Sequence, residues 1–493
     1  MKIILSKINE TYFQIKTEKS ILKELSEYFT FEVPGFRFMP AYRNKLWDGK
    51  KRLVNYIDST IYCGLLPYIK KFAANNTYDL EYENFEDYET SFSVNEAEDF
   101  FNALRPCSGS KEITPHDYQI STFRTAVQRG RVVIVSPTSS GKSLCIYSLV
   151  RWYHNLGKKI LIVLPGIGLV SQLYGDFENY SYLNGWDVEN NCHQIFQGQN
   201  KNTDKLITIS TWQSIYKLNK KWFSQFDVVI GDEVHGFKAE SLTSILHKCI
   251  NAEYRFGFTG TLQDTKIHRL VIEGLFGAAK EIITTKELID RKNIADIAIT
   301  CLLLHYSESD CKFVKNMTYS DEIQFIAQHE KRMNFISNLA LSLEGNTLVL
   351  FRLVDKHGKK MFDRISEKNK NNIPIYFVDG KVDVDIREKI RSAIELHEKS
   401  ITLASVGVFS EGVNIKRIHN IILATPVKSE IKNRQGIGRG LRLGDDKHTI
   451  NYYDIVDVLS LKSKKNFALK HFLDRVKIYD EQQFNYKTYN INI

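Results

Sequence analysis

No run of about eighteen apolar residues occurs anywhere in this chain, so no segment reads as a helix long enough to cross a bilayer. Cysteine is sparse and scattered. The seven, at positions 63, 107, 145, 192, 249, 301 and 311, form no C-x-x-C pair, so neither a zinc site nor a disulfide framework is indicated and reduced thiols are expected. The opening MKIILSKINETYF has one short apolar run and no small-residue cleavage site, so it does not read as a signal peptide. Low-complexity sequence is missing apart from EKNKNN, and no short-period repeat or PD-(D/E)xK-like nuclease pattern stands out. Neither sign of charge dominates. Lysine and arginine number 67 against 58 acidic residues, a net +9 that tolerates a nucleic-acid partner without requiring one.

What is present fits a globular protein: 43% hydrophobic and 25% charged residues, and 493 positions, enough for two to four domains. Residues 1–105 read as a small α+β domain, with Ile21, Leu22, Leu25, Tyr28 and Phe29 on one helical stripe. RPCSGSKEITPHDYQ reads as a linker. Two alternating runs follow. Over residues 112–285 the apolar strands RVVIV, KILIVLP, LITIST, FDVVIGD and RFGFTGT are separated by helix-length segments. TTKELIDRKNIADIAIT reads as a connection. Over 295–460 the pattern resumes with NTLVLF, IPIYFVDG, SITLASVG, HNIILATP and INYYDIVD. Strand–helix alternation predicts an α/β fold with two tandem parallel-sheet lobes. Residues 461–493 read as a basic helix and a short tail.

The first strand of the first lobe leads into SPTSSGKS, residues 136–143. A phosphate cradle needs inward N–H groups, a flexible turn and a helix N-terminus behind it. Pro137, Thr138, Ser139, Ser140 and Gly141 would form the turn. Lys142 would reach the β- and γ-phosphates of ATP, and the Ser143 hydroxyl would meet Mg²⁺. Two serines depart from the glycine-rich pattern: Ser136 replaces its first glycine, and Ser139 occupies another site that is often glycine. Downstream, FDVVIGDEVH ends an apolar strand on Asp232 and Glu233, where a parallel sheet binds its ligands. Asp232 would hold Mg²⁺ through water, and Glu233 would act as general base. In NRQGIGRGLR, Gln435, Arg439 and Arg442 are spaced to share one helical face. Arginines so presented can stabilise charge on a transferring phosphoryl group.

A different signature lies near the N-terminus. In GFRFMPAYRNKLWDGKKRLV, the cations Arg37, Arg43, Lys45, Lys50, Lys51 and Arg52 interleave with Phe36, Phe38, Tyr42 and Trp47. Cations bind phosphates and aromatics stack on exposed bases, so this segment is a candidate DNA-binding surface. The plainer alternative is a hairpin with core aromatics and a solvated basic face.

Taken in order, these motifs resemble the superfamily 2 helicases of DExH type, which have two RecA-like lobes. The resemblance covers about residues 112–460. TPHDYQ resembles the adenine-side segment and implies Tyr118 and Gln119 near the base. SPTSSGKS, VLPGIGLVSQL, ISTWQS, DEVH, TGT, TLVLF, ASVGVFSEGVNI and QGIGRGLR are similar to that family's motifs I, Ia, Ib, II, III, IV, V and VI. They imply DNA contacts at Pro165, Gln172, Thr211 and Trp212 and a nucleotide contact at Gly412. Across its whole length, including the N-terminal segment and the ending FNYKTYNINI, the chain resembles helicases of T-even-type bacteriophages. The resemblance implies an enzyme of the infected cell's cytoplasm that uses ATP and Mg²⁺ on branched DNA, single-stranded DNA and RNA–DNA hybrids. It implies fork regression, branch migration and R-loop unwinding, by a monomer working with phage replication and recombination proteins. Two other readings stay open on the residues alone: a duplex translocase without strand separation, and an annealing protein that uses ATP as a switch.

Overall fold

The computed structural model describes residues 1–86, 90–196, 198–236, 240–262, 266–411, 417–426, 449–461 and 464–493. The chain divides into two compact units, residues 1–136 with 141–283, and residues 284–493 with 137–140. Among the described residues no helix is long and apolar enough to cross a membrane.

The first unit begins with a mixed four-stranded sheet. Its strands are β1 (Lys2–Lys7), β2 (Tyr12–Lys16), β5 (Thr60–Tyr62) and β6 (Asp79–Glu83), in the order β5-β2-β1-β6. Between them lie the helix Lys19–Tyr28 and a two-stranded ladder of β3 (Thr30–Glu32) and β4 (Lys50–Arg52). Ile21, Leu22, Leu25 and Phe29 are buried as their spacing predicts, whereas Tyr28 is 40% exposed. The linker carries a short ladder, β7 (Cys107–Ser108) with β8 (Lys111–Glu112).

The parallel sheet of this unit uses β9 (Arg131–Val135), β10 (Ile160–Leu164), β11 (Cys192–Ile195), β12 (Ile207–Thr211), β13 (Val228–Asp232), β14 (Tyr254–Thr259) and β15 (Ala279–Glu281). Their order is β11-β12-β10-β13-β14-β9-β15. Central strands such as β10 are apolar throughout because helices cover both faces. The small domain is fastened to this sheet by the fully buried Arg255. Its guanidinium donates to the Thr11 hydroxyl at 3.0 Å and to the carbonyls of Cys249, Ala252 and Leu275 at 2.5, 3.0 and 3.2 Å. Burial lowers its pKa to about 10, which leaves it charged at neutral pH. Arg131 adds an ion pair to Glu10 at 2.6 Å. Gly64 packs so closely that a Cβ there would stand 2.1 Å from the Glu273 carbonyl oxygen.

The second unit repeats the architecture. Its strands are β16 (Asp296–His305), β17 (Thr347–Phe351), β18 (Ile375–Val378), β19 (Ile401–Ser405), β20 (Asn420–Leu423), β21 (Thr449–Val458) and β22 (Tyr486–Asn492), ordered β18-β19-β17-β20-β21-β16-β22. Two parallel seven-stranded sheets of this kind are tandem RecA-like lobes. The segment read as a connection contains the helix Thr285–Asp290 and the start of β16, and the C-terminal tail pairs with β16 as an edge strand. The helix Phe467–Glu481 docks through Arg475, whose bidentate contact to buried Asp454 measures 2.7 and 2.8 Å. Arg332 holds Asp457 in the same way at 2.6 and 3.1 Å, and the Tyr306 hydroxyl donates to Asp457 at 2.7 Å. These buried charges are tolerable because each is paired and hydrogen-bonded.

Candidate active site and nucleic-acid interface

The site is built where β9 ends. The chain leaves the strand at Ser136, turns through Pro137–Ser140, and enters the helix Lys142–Asn155 with Gly141 as its N-cap. Gly141 has φ +78°, and a Cβ there would lie 2.2 Å from the Gln119 Nε2 atom. The glycine is therefore required twice, by conformation and by close approach. Ser139 sits at φ +70°, a left-handed conformation that costs an L-residue roughly 1–2 kcal/mol. The serine in place of glycine thus keeps the turn at the expense of strain. The Ser140 hydroxyl donates to the Pro137 carbonyl at 2.8 Å, and Ser136 N–H donates to the Thr259 carbonyl at 2.9 Å.

Lys142 Nζ reaches back to the Ser136 carbonyl at 3.3 Å, across the mouth of the turn. Ser143 Oγ is 2.8 Å from the Tyr180 hydroxyl. Tyr180 was not legible as a site residue: it comes from the helix Ile167–Ser181 and no motif marks it. Tyr118 and Gln119 are both buried, in the helix Asp117–Arg129. Gln119 Oε1 accepts from His116 N–H at 2.9 Å, which points the amide at the glycine turn, and Tyr118 stacks on His116 at 5.2 Å.

Asp232 ends β13, and Glu233 follows at φ +51°. Glu233 N–H donates to Asp232 Oδ1 at 2.9 Å. The carboxyl of Asp232 is pushed up from its ordinary range by burial and by the neighbouring Glu233 charge, while Lys142 pulls it back. That opposing pull places the lysine and the aspartate in one electrostatic neighbourhood. Glu233 Oε2 lies 3.2 Å from His235 Nδ1, and the same nitrogen lies 3.0 Å from Thr259 Oγ1. Thr259 Oγ1 donates to the Thr261 carbonyl at 2.8 Å. DEVH and TGT, separate in sequence, form one hydrogen-bonded chain.

Ser143 Oγ and the Asp232 carboxylate are hard oxygen donors of the type Mg²⁺ takes, with water and phosphate completing its shell. Among the described residues no group of three or more His, Cys, Asp and Glu side chains could hold a metal by itself. Gln435, Arg439, Arg442 and Gly412 lie outside the described residues.

Pro165 and Gln172 follow the C-terminal end of β10, Thr211 is the last residue of β12, and Trp212 follows it. Gln213 Nε2 donates to the Pro165 carbonyl at 3.1 Å, joining the two loops. Gln172 is exposed and Trp212 half-buried, but Thr211 is buried with its hydroxyl 2.9 Å from Ser214 Oγ. In the small domain Arg37, Arg43, Lys45, Lys50, Lys51 and Arg52 are all exposed. Arg52 pairs with Asp48 at 2.5 Å. Trp47 is half-buried and donates its indole N–H to the Lys50 carbonyl at 2.8 Å. Phe36 packs edge-on against Tyr42 at 4.7 Å, whereas Phe38 is 77% exposed.

Three family models match the chain. They are described as Type III restriction enzyme, res subunit (residues 112–264), Helicase conserved C-terminal domain (330–444) and DNA helicase UvsW, N-terminal (4–83). The chain is 33% identical over 498 residues to the ATP-dependent DNA helicase uvsW of Enterobacteria phage T4, covering 98% of each. The crystal structure of T4 UvsW superposes with a TM-score of 0.53 at 31% identity, covering both chains completely. A more distant relative is the DNA 3'-5' translocase XPB2 of Sulfurisphaera tokodaii, at 23% identity over 68% of this chain and 80% of that one.

Proposed function

This chain belongs to the UvsW family of superfamily 2 DNA helicases, and from that premise we propose that it remodels branched DNA, its small N-terminal domain gripping the junction while ATP drives the two lobes. It is an ATP-dependent DNA helicase. The observation that carries the branched-DNA reading is the small domain itself. Six exposed cations within residues 37–52 lie outside the motor sheets yet in the same compact unit as the first parallel sheet and the helix that opens with Lys142.

In the motor, Gly141 and its neighbours would wrap the nucleotide phosphates, with Lys142 leaving the Ser136 carbonyl to meet them. Bound Mg²⁺, held through Ser143 and Asp232, would supply charge neutralisation at the transferring phosphoryl group. Glu233 would take the proton of the attacking water, oriented by His235. The His235–Thr259 contact couples the glutamate at the end of β13 to the end of β14. Gln435, Arg439 and Arg442 would stabilise charge on the transferring phosphoryl group. Contacts to phosphate would make translocation largely independent of sequence. The substrates proposed are forks, Holliday-type junctions and RNA–DNA hybrids, the setting the cytoplasm of an infected bacterium, and the partners phage replication and recombination proteins.

The test is a salt titration of binding to a forked DNA. Neutralising Lys50, Lys51 and Arg52 together is expected to weaken binding and flatten the salt slope by about 0.9 per lost duplex phosphate contact. An unchanged slope removes the DNA-binding role from this domain.

A further inference from the structure

Beside the basic segment, the small domain holds a cavity of about 700 Å³ lined by Tyr12, Lys51, Val54, Tyr56, Ile57 and Tyr62, among others. That size lies within the ~300–1,000 Å³ of small-ligand sites. Its floor is aromatic. Tyr12 and Tyr62, paired across β2 and β5, stack at 5.3 Å with planes 28° apart. His247 covers Tyr62 in turn at 5.7 Å and 19°, and is 3.2 Å from its hydroxyl. Its wall is a rigid turn. Asn55 and Thr60 exchange both backbone hydrogen bonds, at 2.8 and 3.1 Å. Asn55 Oδ1 accepts from the N–H groups of Ile57 and Asp58, and its Nδ2 donates to Asp58 Oδ2 at 2.6 Å. Gln14 Nε2 ties the Asp58 carbonyl at 2.7 Å.

This fixed turn holds Ile57 92% exposed and Tyr56 47% exposed. An isoleucine so presented gains little from folding, because among the described residues no apolar surface covers it. The charges at the rim are Lys51, Arg52 and Asp58. Arg52 is engaged by Asp48 and Asp58 by Asn55, while among the described residues no acid is paired with Lys51. A stacked aromatic floor, an apolar finger and an unpaired cation form a complementary set for one ligand chemistry: a flat π-system attached to a phosphate.

We infer that this pocket receives one unpaired nucleotide of the DNA substrate, its base on the Tyr12 ring and against Ile57, its phosphate at Lys51. The inference rests on the reading that the small domain binds DNA, and adds to it. Salt-dependent phosphate contact treats paired and unpaired strands alike, whereas a stacking floor needs a base already out of its helix. The pocket would therefore let this domain tell a junction, where bases are unpaired, from continuous duplex.

The test uses the full chain and two forks of identical sequence. In one, the unpaired residues next to the junction keep their bases; in the other they are abasic. The wild type is expected to bind the complete fork about tenfold more tightly, since stacking one base on an aromatic ring is worth roughly that much or more. Tyr12→Leu should bind both forks equally, at the abasic level, while Tyr12→Phe keeps the difference. Ile57→Ser, at a fully solvated position, should shrink the difference even if the tyrosine variants fail to fold. Equal wild-type affinity for the two forks overturns the pocket, as does a base dependence that survives in Tyr12→Leu and Ile57→Ser. The lysine and arginine neutralisation separates the two ideas. If it weakens both forks while the wild type ignores the bases, the domain binds DNA and the pocket does not. If it weakens neither, both readings fall together.

Discussion

Replacing Gly141 by alanine tests the phosphate loop through its backbone. At φ +78° an alanine carries about 1–2 kcal/mol of left-handed strain. Its Cβ would also stand 2.2 Å from Gln119 Nε2, so the amide must move. Gln119 is buried and its Oε1 accepts from His116 N–H at 2.9 Å, so moving it forfeits a hydrogen bond of about 1 kcal/mol. Together these are about 2–3 kcal/mol. The variant relieves them by leaving the cradle conformation, and the nucleotide must restore it on binding. ATP affinity is therefore expected to fall about 30- to 150-fold, at tenfold per 1.4 kcal/mol. Equilibrium binding of a fluorescent ATP analogue measures this. Gly157→Ala is the control, because Gly157 has a similar φ of +69° but open space around its Cβ position. It should lose stability without losing nucleotide affinity. If Gly141→Ala binds ATP within about threefold of wild type, at odds with the 1.4 kcal/mol scale above, the seen turn is not the binding conformation.

Other substitutions address single steps. Lys142→Ala should abolish ATP hydrolysis while DNA binding persists in a gel-shift assay; normal turnover would remove the lysine from the phosphates. Glu233→Gln should still bind ATP but turn over about 10²–10⁴-fold more slowly in a phosphate-release assay, and undiminished turnover would assign the proton to another group. His357 is buried with neither ring nitrogen hydrogen-bonded, and burial holds its pKa down to about 3. The unfolded chain therefore takes up this proton first, from about pH 6.5 downward, so stability is full above that value and declines as pH falls toward 3. His357→Leu should flatten that part of the acid denaturation curve, and an unaltered curve would mean the ring charges without cost.

The strands that carry the motor were legible because they are central. β10 and β17 are buried on every side chain, and only a continuous apolar run can fill such a position. The missed strands are marginal ones. β11 reads Cys-His-Gln-Ile, β15 has three residues, and β22 is exposed at nearly every side chain, held to β16 by its backbone. No hydrophobic pattern marks an element whose side chains touch little. β16 was obscured differently: polar Asp296 and Thr300 interrupt the apolar run to which buried Ile297 and Ile299 belong. In the site, Lys142, Asp232 and Glu233 could be named because spacing along one strand or loop exposes them. The Tyr180 hydroxyl on Ser143 and the Thr259 hydroxyl on His235 join residues 37 and 24 positions apart, and only the folded sheet brings them together.

Arg255 has a mechanical consequence. One side chain near the start of a motor strand is anchored at Thr11 on one side and, on the other, at the carbonyls of Cys249 and Ala252 in the preceding loop and of Leu275 in a following helix. Such a fastening behaves as a rivet, since a buried charged donor cannot slip off its acceptors without being stranded. The small domain therefore has no wrist. A tool mounted without a wrist moves only as far, and only when, its arm moves. A displacement of the motor strand at Arg255 would carry the small domain with it.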